Sequence, residues 1–465
     1  MKKIYFLLLL LLLTVLLFSG CGKPSMEDIL SEPEKYADIN GFVIHENELI
    51  RYTGNNPVPV IPETVTSIRS KAFQGCQNIT LVKLHGEIIS IGSEAFQGCS
   101  SLTEIHLPDS IITLGSRAFS GATKLKKVTL PTYLRTVPYG LFMNCGSLKE
   151  ITLPDTVAYI EDNVFNNCTS LREITIPEAV RDIPAYAFAG CSALEKINLP
   201  EKLSRIKDYA FDNASALKNI ELPPDINHIG TGAFAYCTGL TEITLPSKLV
   251  YLGESAFFGC DGIREISIPR YVDSLRKEVF AMCSSLEKIN LPDKIISIEQ
   301  RAFTDCRKLR SIELPAMLTK IGASAFENCG LVSLRMPDSV VTIDKNAFNS
   351  CINLKEIFLS EGLTTLGSYA FSGCYSLESV VIPKDITELS SGLFNDCISL
   401  SYVYVPYSIE KVGKLVFEGT SQLNYIDYQG TPQAWENIEK PEEFMTIDTS
   451  SRLYVYYRNE IPREQ

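Results

Sequence analysis

Cys99–Gly121 reads CSSLTEIHLPDSIITLGSRAFSG, and the chain writes a version of this line every 23 residues. Leu102, Ile105 and Leu107 are apolar at spacings of three and two. Glu104-Ile105-His106-Leu107 alternates, so Ile105 and Leu107 share one face of a short strand. Pro108 ends that strand, because proline cannot donate to a ladder. Ile111 and Leu114 form a second inward pair, and Gly115 is expected to allow a tight turn. Ala118 and Phe119 then point back inward before the turn at Ser120-Gly121. One such unit cannot cover its own apolar side chains, whereas stacked units bury them continuously.

The repeat is long and regular. Phe stands at positions 73, 96, 119, 142, 165, 188, 211, 234, 257, 280, 303 and 326, and after one 22-residue step at 348, 371, 394 and 417. Three residues after each Phe stands a Cys, except where Ala122, Ala214 or Thr420 fills the slot. A strand that recurs once per turn in one direction makes a parallel ladder, and the Phe rings then fall in register as an interior stack. Length alone would suggest about three domains at roughly 150 residues each, but a solenoid grows along one axis without closing a globular core.

The recurring pattern L-x-x-I-x-L-P…I-x-x-I-G-x-x-A-F-x-G-C, seen in LTEIHLPDSIITLGSRAFSGA and LTEITLPSKLVYLGESAFFGC, resembles the BspA-type leucine-rich repeat over residues 42 to 440. The resemblance implies a right-handed leucine-rich-repeat solenoid of about sixteen 23-residue repeats. It implies one long parallel β-sheet, with short strands and turns on the other side. The chain departs from the commoner leucine-rich pattern, which carries Asn or Cys just after the strand. Ser110, Thr156 or Lys248 stands there instead, so no side-chain ladder of that kind is expected. Gly41–Ile44 and Glu48–Tyr52 read as a hairpin over the N-terminal end. Tyr428-Gln429-Gly430-Thr431-Pro432-Gln433-Ala434-Trp435 resembles the closing motif of BspA-type arrays. The expected organisation is a signal peptide over 1–20, a tether over 21–40, a hairpin cap over 41–60, repeats over 61–428 and a C-terminal cap over 429–465.

The first residues carry a processing signal. Lys2 and Lys3 precede an apolar run from Ile4 to Phe18, too short for the roughly 20 residues of a membrane span and laid out as an export signal. Ser19-Gly20-Cys21 resembles the bacterial lipobox, with Phe18 where Leu is usual. That resemblance implies cleavage before Cys21 and a lipid on its sulfur; the alternative is ordinary secretory cleavage. The 465 residues are 45% hydrophobic and carry a net charge of −12. Without a basic cluster, such a chain is a poor nucleic-acid binder.

Catalytic signals are weak. The four histidines, His45, His85, His106 and His228, show no H-E-x-x-H spacing, and no G-x-S-x-G elbow or phosphate loop occurs. An enzyme is not expected, nor a cofactor or a metal. Thirteen cysteines besides Cys21 lie almost wholly on the 23-residue grid. Ligands strung along an axis do not converge on a metal. Bridges between turns are conceivable from strand spacing, but an odd number of cysteines, and slots that tolerate Ala or Thr, favour a column of buried thiols.

The strand's outward positions carry the variation. One column runs Lys83, His106, Thr129, Thr152, Thr175, Asn198, Glu221, Thr244, Ser267, Asn290, Glu313, Arg335, and then changes to Phe358, Val381, Tyr404. Its neighbour ends Glu356, Ser379, Tyr402, Tyr425. Phe358, Val381, Tyr402, Tyr404 and Tyr425 therefore form a candidate ligand patch, since contiguous exposed apolar surface marks interaction sites and Tyr is favoured there. The alternative is that a strand over Arg452–Tyr457 folds back and covers them. The expected protein is exported, lipid-anchored to a bacterial cell membrane or outer membrane and exposed at the cell surface. It would bind a macromolecule, a protein ahead of a glycan, through its extended face. The resemblance adds adhesion, since the family includes adhesins. An envelope polysaccharide-binding protein and a structural envelope scaffold without a ligand are the alternatives.

Overall fold

The computed structural model describes residues 24–441, 444 and 454–458. The signal segment 1–20 and Cys21 lie outside them. The chain forms two compact units, Met1–Pro131 and Thr132–Gln465, both built as parallel β-solenoid, with about 17 turns of ~23 residues in all. Most turns contribute a strand of two to four residues from the L-x-x-I-x-L segment, absent at 148–153 and 309–314, and a two-residue strand from the I-x-x-I segment. Both kinds pair in parallel with their counterparts one turn away, as Glu104–His106 does with Lys127–Thr129 and Ser90–Ile91 with Thr113–Leu114. Leucine-rich periodicity thus yields two kinds of parallel pairing within each unit, both divided into short sheets, the longest having six strands.

In the first unit the interior stack runs Phe42, Tyr52, Phe73, Phe96, Phe119, with centroids 4.8–5.4 Å apart. Tyr52 stands where a repeat would place Phe. Its hydroxyl accepts from Asn56 N and donates to Asn56 O, so the outer end of the stack carries a satisfied polar group. Residues 21–40, expected as a tether, are instead folded from Met26 onward. A capping box between Ser25 and Asp28 starts a helix at Met26–Ser31, and Pro33–Tyr36 continues as a 3-10 turn. Ile29 packs on Val43 and Ile50 of the antiparallel hairpin Phe42–His45/Glu48–Tyr52, which covers apolar surface that a free tether would leave exposed.

In the second unit a stack runs from Phe142 to Phe417, with adjacent rings 5.2–5.9 Å apart and within 13° of parallel. Aromatic pairs at such separations attract in offset geometry. Phe444 closes the stack 5.8 Å from Phe417, tilted by 56°. The C-terminal cap is a degenerate extra turn: Glu439 bridges Lys411 of an I-x-x-I strand, Phe444 fills the ring slot, and Tyr454–Tyr457 adds to the six-stranded sheet. The closing motif supplies its helix. Thr431 caps Pro432–Glu436 through Ala434 N, and Trp435 is buried against Tyr428 and Phe444.

The thirteen cysteines among the described residues are free thiols. They are also organised by more than apolar burial. In eleven turns the Sγ–H donates to the carbonyl of the preceding turn's ring residue at 2.9–3.2 Å, for example Cys99 to Phe73 and Cys260 to Phe234. Thr420, in the same slot, turns its hydroxyl to Phe417 O within its own turn.

One slot of the turn does more than expected, and one expectation is corrected. The slot after the strand does carry inter-turn bonds: Ser110, Thr156, Ser339 and Ser408 donate to carbonyls of the turn before at 2.6–2.9 Å, and Lys248 pairs with Asp225 at 2.6 Å. A hydroxyl that reaches a carbonyl can do locally what an Asn ladder does elsewhere. Gly115 is required by close approach rather than by turn dihedrals, since a Cβ there would lie 2.2 Å from Ser93 N. Left-handed positions lie two residues before and two residues after each ring, and at the later one φ is +55° to +75° in every turn. Gly and Asn dominate there, as left-handed backbone demands.

Two outcomes follow from these turns. Met282 occupies the left-handed slot at φ +61° with its side chain exposed. Met282→Gly is therefore expected to raise unfolding free energy by about 0.5–1 kcal/mol, the relief of strain less the entropy of glycine, as read by denaturant titration. Burial pushes the thiols up, to about 12 at Cys99, Cys191, Cys351 and Cys397. The unfolded chain ionises near 9.0 while the folded chain holds its protons, so stability present below that pH is lost as pH rises toward about 12. Unfolding midpoints measured from pH 8 to 11 should fall, and Cys260→Ala with Cys283→Ala should flatten the fall; a pH-independent midpoint would contradict it.

Candidate functional site

The residue pattern that changes at the end of the array sits on one six-stranded parallel sheet. Its strands are Ser333–Arg335, Glu356–Phe358, Ser379–Val381, Tyr402–Val405, Tyr425–Tyr428 and Tyr454–Tyr457. Alternation sends Leu334, Ile357, Val380, Val403 and Ile426 into the core and the flanking residues outward. Register then aligns Arg335, Phe358, Val381, Tyr404, Asp427 and Tyr456 in one outward column. Ser379, Tyr402, Tyr425 and Tyr454 belong to the second.

The five candidate residues are thus brought onto one sheet, but in two settings. Phe358 and Val381 are 43% and 59% exposed and form an open apolar stretch. The Arg335 guanidinium lies 4.1 Å from the Phe358 ring centre, a cation–π contact that covers part of the ring. Tyr402 and Tyr404 are half-buried, and Tyr425 is exposed. The strand at Tyr454–Tyr457 does not fold back over these rings. It extends the sheet edge by pairing in parallel with Tyr425–Tyr428 and adds two exposed rings, Tyr454 and Tyr456.

Two polar residues that sequence reasoning missed organise this end. Asp427 lies in the outward column yet is only 4% exposed. Its carboxylate accepts from the Tyr402 hydroxyl at 2.9 Å and from Arg458 Nε at 2.8 Å, and a second Arg458 nitrogen completes a bidentate pair. Arg458 at the same time lies over the Tyr404 ring, 5.6 Å from its centre. Burial first, and then the hydrogen bond to Asp427, raise the Tyr402 phenol above its usual range. The only signal in the sequence was an Asp interrupting the aromatic segment Tyr425-Ile426-Asp427-Tyr428. Its partner lies 31 residues away, off the repeat period.

Five overlapping stretches, 51–172, 159–287, 228–351, 273–401 and 319–438, match the family model for the BspA type leucine rich repeat region. The chain belongs to the BspA-type leucine-rich-repeat family. This BspA-type chain is similar to a leucine-rich repeat protein from Bacteroides ovatus, at 27% identity over 90% of this chain and 97% of that one, with a TM-score of 0.57. It also matches a leucine rich cell surface protein from Faecalibacterium prausnitzii, at 26% identity over 87% and 97% of the two chains, with a TM-score of 0.37. A leucine-rich repeat protein of T. pallidum is 27% identical over 45% of this chain and 89% of its own, with a TM-score of 0.36. No curated protein matches. No helix among the described residues is long and apolar enough to cross a membrane.

The bidentate pair fastens the last strand to the sheet. Asp427→Asn is expected to speed amide hydrogen exchange across Tyr454–Tyr457 while leaving exchange in the strands from Glu173 to Asn290 unchanged. Unaltered exchange in the last strand would show that backbone pairing alone holds it.

Proposed function

We propose that this BspA-type chain is an exported, lipid-anchored surface protein that binds macromolecular partners, proteins foremost, through the outward face of its C-terminal turns. The observation that carries the reading is the switch of one outward column from small polar residues to Phe358 and Val381, both exposed, on a sheet that is otherwise solvated. Family membership supports a binding scaffold, and a solenoid offers an extended recognition surface. Contiguous exposed apolar side chains mark interaction sites, and Arg335 beside them is of a type enriched in hot spots. Adhesion is the biological form this takes if the partner is a host or neighbouring-cell protein.

The anchor rests on Ser19-Gly20-Cys21 and the apolar run before it. Because folding begins at Met26, only a short stretch would separate a lipid on Cys21 from the N-terminal cap. Stable anchoring needs more than one acyl chain, which a diacylated or triacylated Cys21 meets.

Metabolic palmitate labelling should mark the full-length chain and not Cys21→Ser. Cells displaying the full-length chain should capture proteins from an extracellular-matrix array, and Phe358→Ser/Val381→Ser should lose capture with an unchanged unfolding midpoint. Capture that survives the double substitution would move the binding surface elsewhere.

A further inference from the structure

We infer a second, separate binding site at the sheet's last edge, a tyrosine cleft that takes a short neutral saccharide. The cleft has a volume of about 500 Å³ and is walled by Tyr402, Tyr425, Tyr454 and Tyr456 over a floor of Asp427 and Arg458. It shares the six-stranded sheet with the proposed protein-binding stretch but uses different side chains, and it goes beyond that reading.

Three features set the ligand class. The first is unoccupied aromatic faces. Among the described residues, Phe358 is partly covered by Arg335, Tyr404 partly by Arg458, and Tyr457 meets Tyr428 edge-on. Among the described residues no ring or cation contact uses Tyr425, Tyr454 or Tyr456, which are 47%, 70% and 63% exposed. Tyr425 and Tyr454 are direct neighbours across the parallel pair, about 4.8 Å apart along the sheet. Their side chains leave the same face of the sheet next to each other, and an exposed aromatic face can stack on the C–H face of a pyranose ring.

The second is the floor. Asp427 and Arg458 neutralise each other, so the cleft offers no net charge to a charged ligand. It still offers hydrogen bonds. Two of the three guanidinium nitrogens face Asp427, which leaves N–H groups of the third for a ligand. Tyr hydroxyls donate and accept. A planar donor beside phenolic hydroxyls suits vicinal diols, which both give and take hydrogen bonds. The bidentate pair also fixes these groups before binding, which lowers the ordering cost.

The third is shape. A standard protein interface spreads over roughly 800 Å² per partner, whereas a cleft in the range of about 300–1,000 Å³ is the scale of small-ligand sites. The flat Phe358–Val381 stretch fits the former and the tyrosine cleft the latter.

The test is calorimetric titration of the full-length chain with maltotetraose, cellotetraose, chitotetraose and mannotetraose. At least one should bind, and Tyr454→Ala/Tyr456→Ala should weaken that binding by about tenfold or more, a loss on the scale of one or more stacking contacts. Tyr454→Phe/Tyr456→Phe should retain most of it, because stacking needs the ring. Tyr159→Ala, which removes an exposed tyrosine on another strand, and Phe358→Ser/Val381→Ser should leave it unchanged. No heat with any of the four sugars, or binding indifferent to Tyr454 and Tyr456, would overturn the site. Protein capture through Phe358 and Val381 without saccharide binding would overturn the saccharide site alone and leave the surface-binding reading standing. Saccharide binding without protein capture would do the reverse.

Discussion

Parallel register between near-identical turns is the constraint on which everything else rests. Once a strand pairs with its counterpart 23 residues away, every side chain meets its own equivalent in the next turn. A ring then meets a ring, as from Phe142 to Phe417, and a thiol meets the carbonyl of the ring residue before it. A residue that packs badly against itself would be penalised once per turn, so the inward slots admit few types. Phe fills the axis, Leu and Ile the strand, Cys the small gap where a donor is also useful. Slips in register would break both columns at once, which gives the fold its specificity.

The fold was legible because these same constraints write themselves into the sequence as a period. The ring positions, the inward strand residues and the buried thiols could all be read from spacing. The thiol–carbonyl ladder could not. Its partners are 26 residues apart, one turn plus three residues, a relation that appears only when turn geometry brings Sγ under the carbonyl. The reading of Gly115 went wrong for a related reason: spacing shows that a glycine recurs, but not whether dihedral angle or the neighbouring backbone demands it. The supposed tether failed because Pro and acidic residues between 24 and 40 read as solvated chain, while Ile29, with Met26, Tyr36 and Ala37 packed around it, docks the segment on the hairpin.

Legibility ended where the repeat did. The candidate patch was found because outward columns should stay polar and five positions did not. Asp427 and Arg458 occur once each in their roles, so no periodicity exposed them. Yet they set the chemistry of the last edge, holding the final strand, half-covering Tyr404 and leaving Tyr425, Tyr454 and Tyr456 with open faces. In a solenoid most of the chain serves stacking. The residues free to vary are those facing solvent, and the terminal turns, with a neighbour on one side only, have the widest choice of chemistry.

The claim that binding is concentrated in the deviating turns can be tested without knowing the ligand. A photo-crosslinking amino acid placed at Val381 and, separately, at Thr129 occupies the same outward column in the aromatic and the polar part of the array. With the full-length chain displayed on cells and irradiated in native medium, covalent adducts to other macromolecules should form at position 381 and not at 129. Equal adducts at both positions, or adducts at 129 alone, would contradict the account.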